Sequence, residues 1–95
     1  MITRTTKVLN KSGIHARPAS AFVNEAKQFK SQITIRNLNR ASMKGVNAKS
    51  MIMVLTLEAS KGTEIEISAD GPDEKEAVDT LIALVDNGIN ECVTD

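Results

Sequence analysis

The sequence predicts an α+β fold in which helices cover one face of a mostly antiparallel, four-stranded sheet. Two patterns carry this reading. Apolar residues recur at helical spacing between Ala16 and about Lys30 and again between Ala77 and Val85, while Thr63 to Ala69 alternates cleanly at period two. Each helical stretch has a single apolar stripe, so each has one face to bury. The element order reads β-α-β-β-(short α)-β-α.

The opening stretch, Met1 to Leu9, interleaves β-branched residues (Ile2, Thr3, Thr5, Thr6, Val8) with Arg4 and Lys7, and reads as a strand of soft alternation. Asn10, Lys11, Ser12 and Gly13 form a turn signal. In the first helix Ala19, Phe22, Val23, Ala26 and Phe29 make the stripe, and Pro18 suits the first turn, where its missing N–H costs nothing. Ile33 and Ile35 alternate with Thr34 and Arg36 as on a half-buried strand. A polar, turn-rich connection from Asn37 to Gly45 leads to a short strand near Gly45 to Ala48.

Met51 to Leu57 is almost wholly apolar, and periodicity alone does not separate a buried strand from a short helix there. Ser50, just before it, would serve as a helix N-cap. Lys61-Gly62 is a turn. Ile65 and Ile67 face one way on the last strand, Glu64, Glu66 and Ser68 the other. Gly71-Pro72-Asp73-Glu74 starts a helix, with Pro72 at the first helical position and acids against the positive dipole end. Ala77, Val78, Leu81, Leu84 and Val85 supply its stripe, and Asn87-Gly88 ends it.

Composition narrows the function classes. The 95 residues suit one domain, read here as 1–95 without repeat, linker or low-complexity tract, and too small for a large enclosed substrate pocket. Twelve basic residues balance twelve acidic ones, and Phe22 and Phe29 are the only aromatics, which argues against nucleic-acid binding by bulk charge or base stacking. Cys92 is single, so no internal disulfide forms, and it reads as a free thiol in a reducing cytosol. No signal-peptide pattern opens the chain, and the run Met51 to Leu55 is far too short to span a bilayer.

The chemistry concentrates in Lys11 to Ser20, KSGIHARPAS. His15, the single histidine, follows a glycine turn and directly precedes a helix. Free N–H groups at that helix start, with the dipole, make an anion site beside the imidazole. Arg17 adds a planar fork of donors suited to phosphate. Pro18 removes one competing N–H, and Gly13 permits the sharp turn. A nucleophile, an anion cradle and a guanidinium together suit phosphoryl transfer, where positioning and charge neutralisation supply most of the help. On the residues alone, an ordinary exposed histidine is the commoner reading of such a residue. A metal site is disfavoured, since there is no second histidine and Cys92 is distant with no ligand spacing. No cofactor is implied: there are no paired carboxylates around a pocket and no Gly-rich nucleotide loop, so a free-standing enzyme is a weak reading.

GIHARPAS closely resembles the active-site segment of the HPr family, the histidine phosphocarriers of the phosphoenolpyruvate-dependent sugar phosphotransferase system. The likeness continues through VNAKSMIMVLTLEASKGTEIEISADGPDEKEAV, Val46 to Val78. The resemblance implies an open-faced β-sandwich of four strands and three helices, with Met51 to Leu57 as a short helix. It implies that His15 accepts a phosphoryl group on Nδ1 from enzyme I and passes it to an enzyme IIA domain. Arg17 would stabilise the phosphate, which the N–H groups of Ala16 and Arg17 would bind. The protein would then be a monomeric cytoplasmic relay, a stoichiometric intermediate with no small-molecule substrate of its own.

By the same resemblance Ser50 stands at the regulatory serine modified in some bacteria by an HPr kinase/phosphorylase. Phosphate there would oppose docking of enzyme I by charge. The residue itself is equally compatible with a plain N-cap. Met51, Ile52 and Leu55, on one side of the short helix, with Ser20, would form a partner surface, and Lys49 and Lys27 could add positive charge around it. Three features depart from the family pattern: a longer Asn37 to Lys44 connection, Met53 where glycine is common, and an unfamiliar tail from Asn87 to Asp95. Two other functions stay open, a regulatory HPr-like binding protein and a nitrogen-type relay not serving sugar import.

Overall fold

The computed structural model describes residues 1–8, 16–39, 45–57 and 62–86, with only the backbone of residues 16–18. In chain order the elements are β1 (Ile2–Lys7), α1 (Ala16–Ala26), β2 (Gln32–Asn37), β3 (Val46–Asn47), α2 (Met51–Leu55), β4 (Glu64–Asp70) and α3 (Glu74–Asp86). The strands form one sheet in the order β1-β4-β2-β3, and every pairing is antiparallel.

Register places the apolar side chains on one face. Ile33 lies opposite Ala69, Ile35 opposite Ile67 and Asn37 opposite Ile65, and all six are buried. Phe22, Val23 and Ala26 of α1, Val54 of α2, and Ala77, Val78, Leu81 and Val85 of α3 complete the same core. The other sheet face is polar and bears cross-strand pairs: Thr3 with Ser68 (3.0 Å between hydroxyls) and Arg36 with Glu66 (3.4 Å). Asn37 is the buried exception on the inner face. Its Nδ2 donates to the Leu57 carbonyl and its Oδ1 accepts from the Asn39 N–H, both at 2.9 Å, so its polar atoms are satisfied.

The soft alternation of β1 has a tertiary cause. Its inner-face positions Arg4 and Thr6 meet the polar flank of α3, Arg4 pairing with Asp79 at 3.4 Å and Thr6 donating to Asp86. An edge strand met by a helix flank needs no apolar residues at those positions.

Several element boundaries differ from expectation. β1 is shorter by a residue or two at each end, and β3 is only Val46–Asn47. α1 ends at Ala26 and not near Lys30, because Gln28 and Phe29 donate to carbonyls three residues back, tightening the turn into β2. Phe29 is therefore only half-buried against the core. α3 begins at Glu74, two residues beyond Pro72: the Asp73 carbonyl accepts the first intrahelical bond, from Ala77 at 2.9 Å, while Pro72 belongs to the turn. The run from Met51, ambiguous by periodicity, is a helix as far as Leu55, two residues short of the expected Leu57. The turns at Asn10–Gly13 and Asn87-Gly88, residues 40–44, Cys92 and the tail to Asp95 lie outside the described residues. No described helix is long and apolar enough to cross a membrane.

Candidate functional site

α1 begins at Ala16, one residue after His15. A helix start leaves its first N–H groups, those of Ala16 and Arg17 among them, without intrahelical acceptors. His15 and Gly13 lie outside the described residues, as do the side chains of Ala16, Arg17 and Pro18. The helix they open is firmly held: Ala19, Phe22, Val23 and Ala26 are buried, and α1 packs against both α2 and α3.

The far end of α1 is tied down by groups from two other segments. Lys49 Nζ donates to the Phe29 carbonyl at 2.6 Å. The Asp73 carboxylate accepts from the N–H groups of Lys30 (2.8 Å) and Ser31 (2.9 Å) and from the Ser31 hydroxyl (2.5 Å). The Ser31 hydroxyl, chiefly, and the Lys30 N–H hold the Asp73 carboxyl below its usual range. Glu74 is likewise lowered, first by the Gly71 N–H and then by the terminal ammonium. Sequence reasoning placed Asp73 among acids facing a helix dipole. The structure sends its side chain to a turn 42 residues away, and nothing local signals that.

Ser50 caps α2, its hydroxyl accepting from the Met53 N–H at 3.4 Å. Met51 and Val54, three apart, face inward: Val54 is fully buried and Met51 is half-buried against the core. Ile52, Met53 and Leu55 point out and are 76%, 41% and 38% exposed. Of the expected partner surface, Ile52 and Leu55 are thus exposed and Met51 is half-buried, while Met53, read from sequence only as a departure from glycine, is exposed beside them. A five-residue helix that fully buries only Val54 leaves most of its side chains to solvent. Ser20 and Lys27 are exposed on the α1 segment, whereas Lys49 is half-buried and tethered. No group of three His, Cys, Asp or Glu among the described residues could hold a metal ion.

Residues 2–87 match the family model described as the PTS HPr component phosphorylation site. The chain belongs to the HPr family. It is 41% identical to phosphocarrier protein HPr of Haemophilus influenzae, covering 90% of this chain and 95% of that one. It is 40% identical to phosphocarrier protein NPr of Proteus mirabilis, covering 93% and 94%. Among solved structures, HPr from Thermoanaerobacter tengcongensis superposes with a TM-score of 0.87 at 40% identity, covering 97% of this chain and 99% of that one. The HPr match spans β1 through α3, so the four-stranded antiparallel sheet with its three helices is the HPr fold.

Proposed function

We propose that this phosphocarrier of the phosphotransferase system carries its phosphoryl group on His15. The observation that carries the reading is the family match over residues 2–87, with GIHARPAS set at the start of α1. A neutral imidazole attacks phosphorus through the Nδ1 lone pair. The new N–P bond forms as the donor's N–P bond breaks, and the donor nitrogen keeps the electron pair. Onward transfer reverses the roles, with Nδ1 as leaving group. Arg17 and the N–H groups of Ala16 and Arg17 neutralise charge on the equatorial oxygens, and Pro18 keeps that turn free of a competing donor. The donor is enzyme I and the acceptor an enzyme IIA domain, both docking over Ser20, Met51, Ile52 and Leu55, with the exposed Met53 beside them. The chain works as one cytoplasmic unit, a monomer that turns over as an intermediate and not as a catalyst.

Incubation with phosphoenolpyruvate and enzyme I should yield an acid-labile phosphate that is absent from His15→Ala. Persistent label in that variant would place the chemistry elsewhere. Arg17→Ala should still accept phosphate, but slowly.

Ser50 is in this reading a regulatory site as well as a cap. A phosphate there adds roughly −1.5 to −2 charges next to the docking surface and slows the encounter with enzyme I. Modification would fall to an HPr kinase/phosphorylase, which must accommodate Met53. A nitrogen-type relay is compatible with the likeness to NPr and is not favoured by it.

A further inference from the structure

We propose that the groove between the start of β2 and the β3–α2 connection binds a compact dianion, a small organic phosphate. The groove has a volume of about 310 Å³ and is lined by residues 30–34 on one side and by Asn47 and Lys49 on the other. That size lies at the small end of ligand sites, which run from roughly 300 to 1,000 Å³.

Its charge is one-sided. Among the described residues, two lysines and no carboxylate line it, in a chain of zero formal net charge. Lys49 is pre-positioned, because its ammonium already donates to the Phe29 carbonyl at 2.6 Å. An ammonium has three donors, so two remain for a ligand, and a tethered side chain loses less entropy on binding. Lys30 is exposed, and its flexible stem can close over an anion.

The neighbouring acids do not line the groove. Asp73 touches the same turn from outside the lining, its oxygens engaged by Lys30 N, Ser31 N and Ser31 Oγ. Asp70 stands opposite Gln32 in the ladder and lies 4.0 Å from the terminal amine. Neutral donors complete the lining: the Gln32 amide, the Thr34 hydroxyl, and the Asn47 amide, whose Oδ1 accepts from the Lys49 N–H at 2.9 Å and so leaves Nδ2 to donate. Two ammonium groups with hydroxyl and amide donors, converging from both sides of the groove, suit the three non-coplanar oxygens of a phosphate monoester, whereas a carboxylate offers only two coplanar ones. The site does not involve His15, and it stands or falls apart from the relay.

The test is heteronuclear NMR of the whole unphosphorylated chain titrated with glycerol 3-phosphate, with L-malate and glycerol in parallel. Saturable shifts are expected at the amides of residues 30–34 and 47–49, weaker with malate and absent with glycerol. Lys30→Gln and Lys49→Gln should each raise the dissociation constant about tenfold, a loss of one charge-assisted contact. Lys30 is exposed, so its variant keeps the fold even where that of Lys49 disturbs the α1 turn. Shifts that do not saturate, that are confined to residues 15–18, that are larger with malate, or that Lys30→Gln leaves unchanged would overturn the proposal.

Discussion

Replacing Gly71 with alanine should be among the costliest single-methyl additions to this chain. Gly71 links β4 to α3 and passes directly against Ser31. An added Cβ would stand 2.6 Å from the Ser31 Cα, 2.7 Å from its Oγ and 2.9 Å from its Cβ. The nearest of these is backbone. Ser31 is 1% exposed and is held through its N–H and hydroxyl by Asp73, so it has little room to retreat. Forcing an extra methyl into packed surroundings costs about 1–3 kcal/mol. A displaced, buried Ser31 donor adds about 1–3 kcal/mol if it loses its acceptor. The expected loss is therefore about 2–6 kcal/mol, a large part of the stability of a small domain. For this size that lowers Tm by roughly 10–50 °C. Urea and thermal melts followed by circular dichroism read it directly. Gly62→Ala provides the contrast: Gly62 has φ +89° but nothing within 4 Å of a Cβ, so only conformational strain of about 1–2 kcal/mol opposes it. In a double-mutant cycle, Ser31→Gly removes two of the three crowded atoms and should recover part of the Gly71→Ala loss. A loss under about 1 kcal/mol for Gly71→Ala, or a smaller loss than Gly62→Ala, would refute the steric reasoning.

Four further outcomes follow from the same geometry. Because the folded Asp73 pKa is depressed, its contribution is complete above the ordinary aspartate value of 3.8 and fades as pH falls through the lower folded value; the stability gap between wild type and Asp73→Asn should therefore close in acid, and a gap that is constant with pH would contradict the clamp. Ile52→Glu, at a 76% exposed position, should change stability by less than about 0.5 kcal/mol yet slow phosphoryl acceptance from enzyme I, with stopped assays giving the rate. Ser50→Ala should lose about 0.5–1 kcal/mol, since the cap bond is long at 3.4 Å, whereas Ser50→Asp keeps a capping acceptor and the fold but accepts phosphate more slowly; equal acceptance rates would leave Ser50 as a cap only. Asn37→Leu should cost about 1–3 kcal/mol in a denaturant melt, as it strands the Leu57 carbonyl and the Asn39 N–H.

Elements whose faces are sorted by one period were legible in the sequence. β4 and α3 read correctly because Ile65 and Ile67, and Ala77, Val78, Leu81 and Val85, all turn to one core. β1 was blurred because Arg4 and Thr6 answer to α3 and not to the core. The C-terminal limit of α1 was overestimated because Phe29 continues the apolar spacing past the point where Lys49 and Asp73 capture the turn. In α2 a five-residue run is too short for periodicity to separate inside from outside, so the sequence left open that Val54 is buried, Met51 half-buried and Met53 exposed. The family was legible because the residues of GIHARPAS that carry the likeness are consecutive in the chain.

By itself the sequence determined the family, the position of the histidine motif on the chain, and which face of each long element is apolar. Only the tertiary structure decided which distant polar groups meet: Asp73 with Ser31, Lys49 with Phe29, and Lys30 with Lys49 around one groove. The physical reason is that apolar burial is non-directional and leaves a periodic trace in the chain, whereas a hydrogen bond or a charged cavity needs particular atoms from separate segments at fixed distances. Those distances exist only once the sheet register and helix packing have been set.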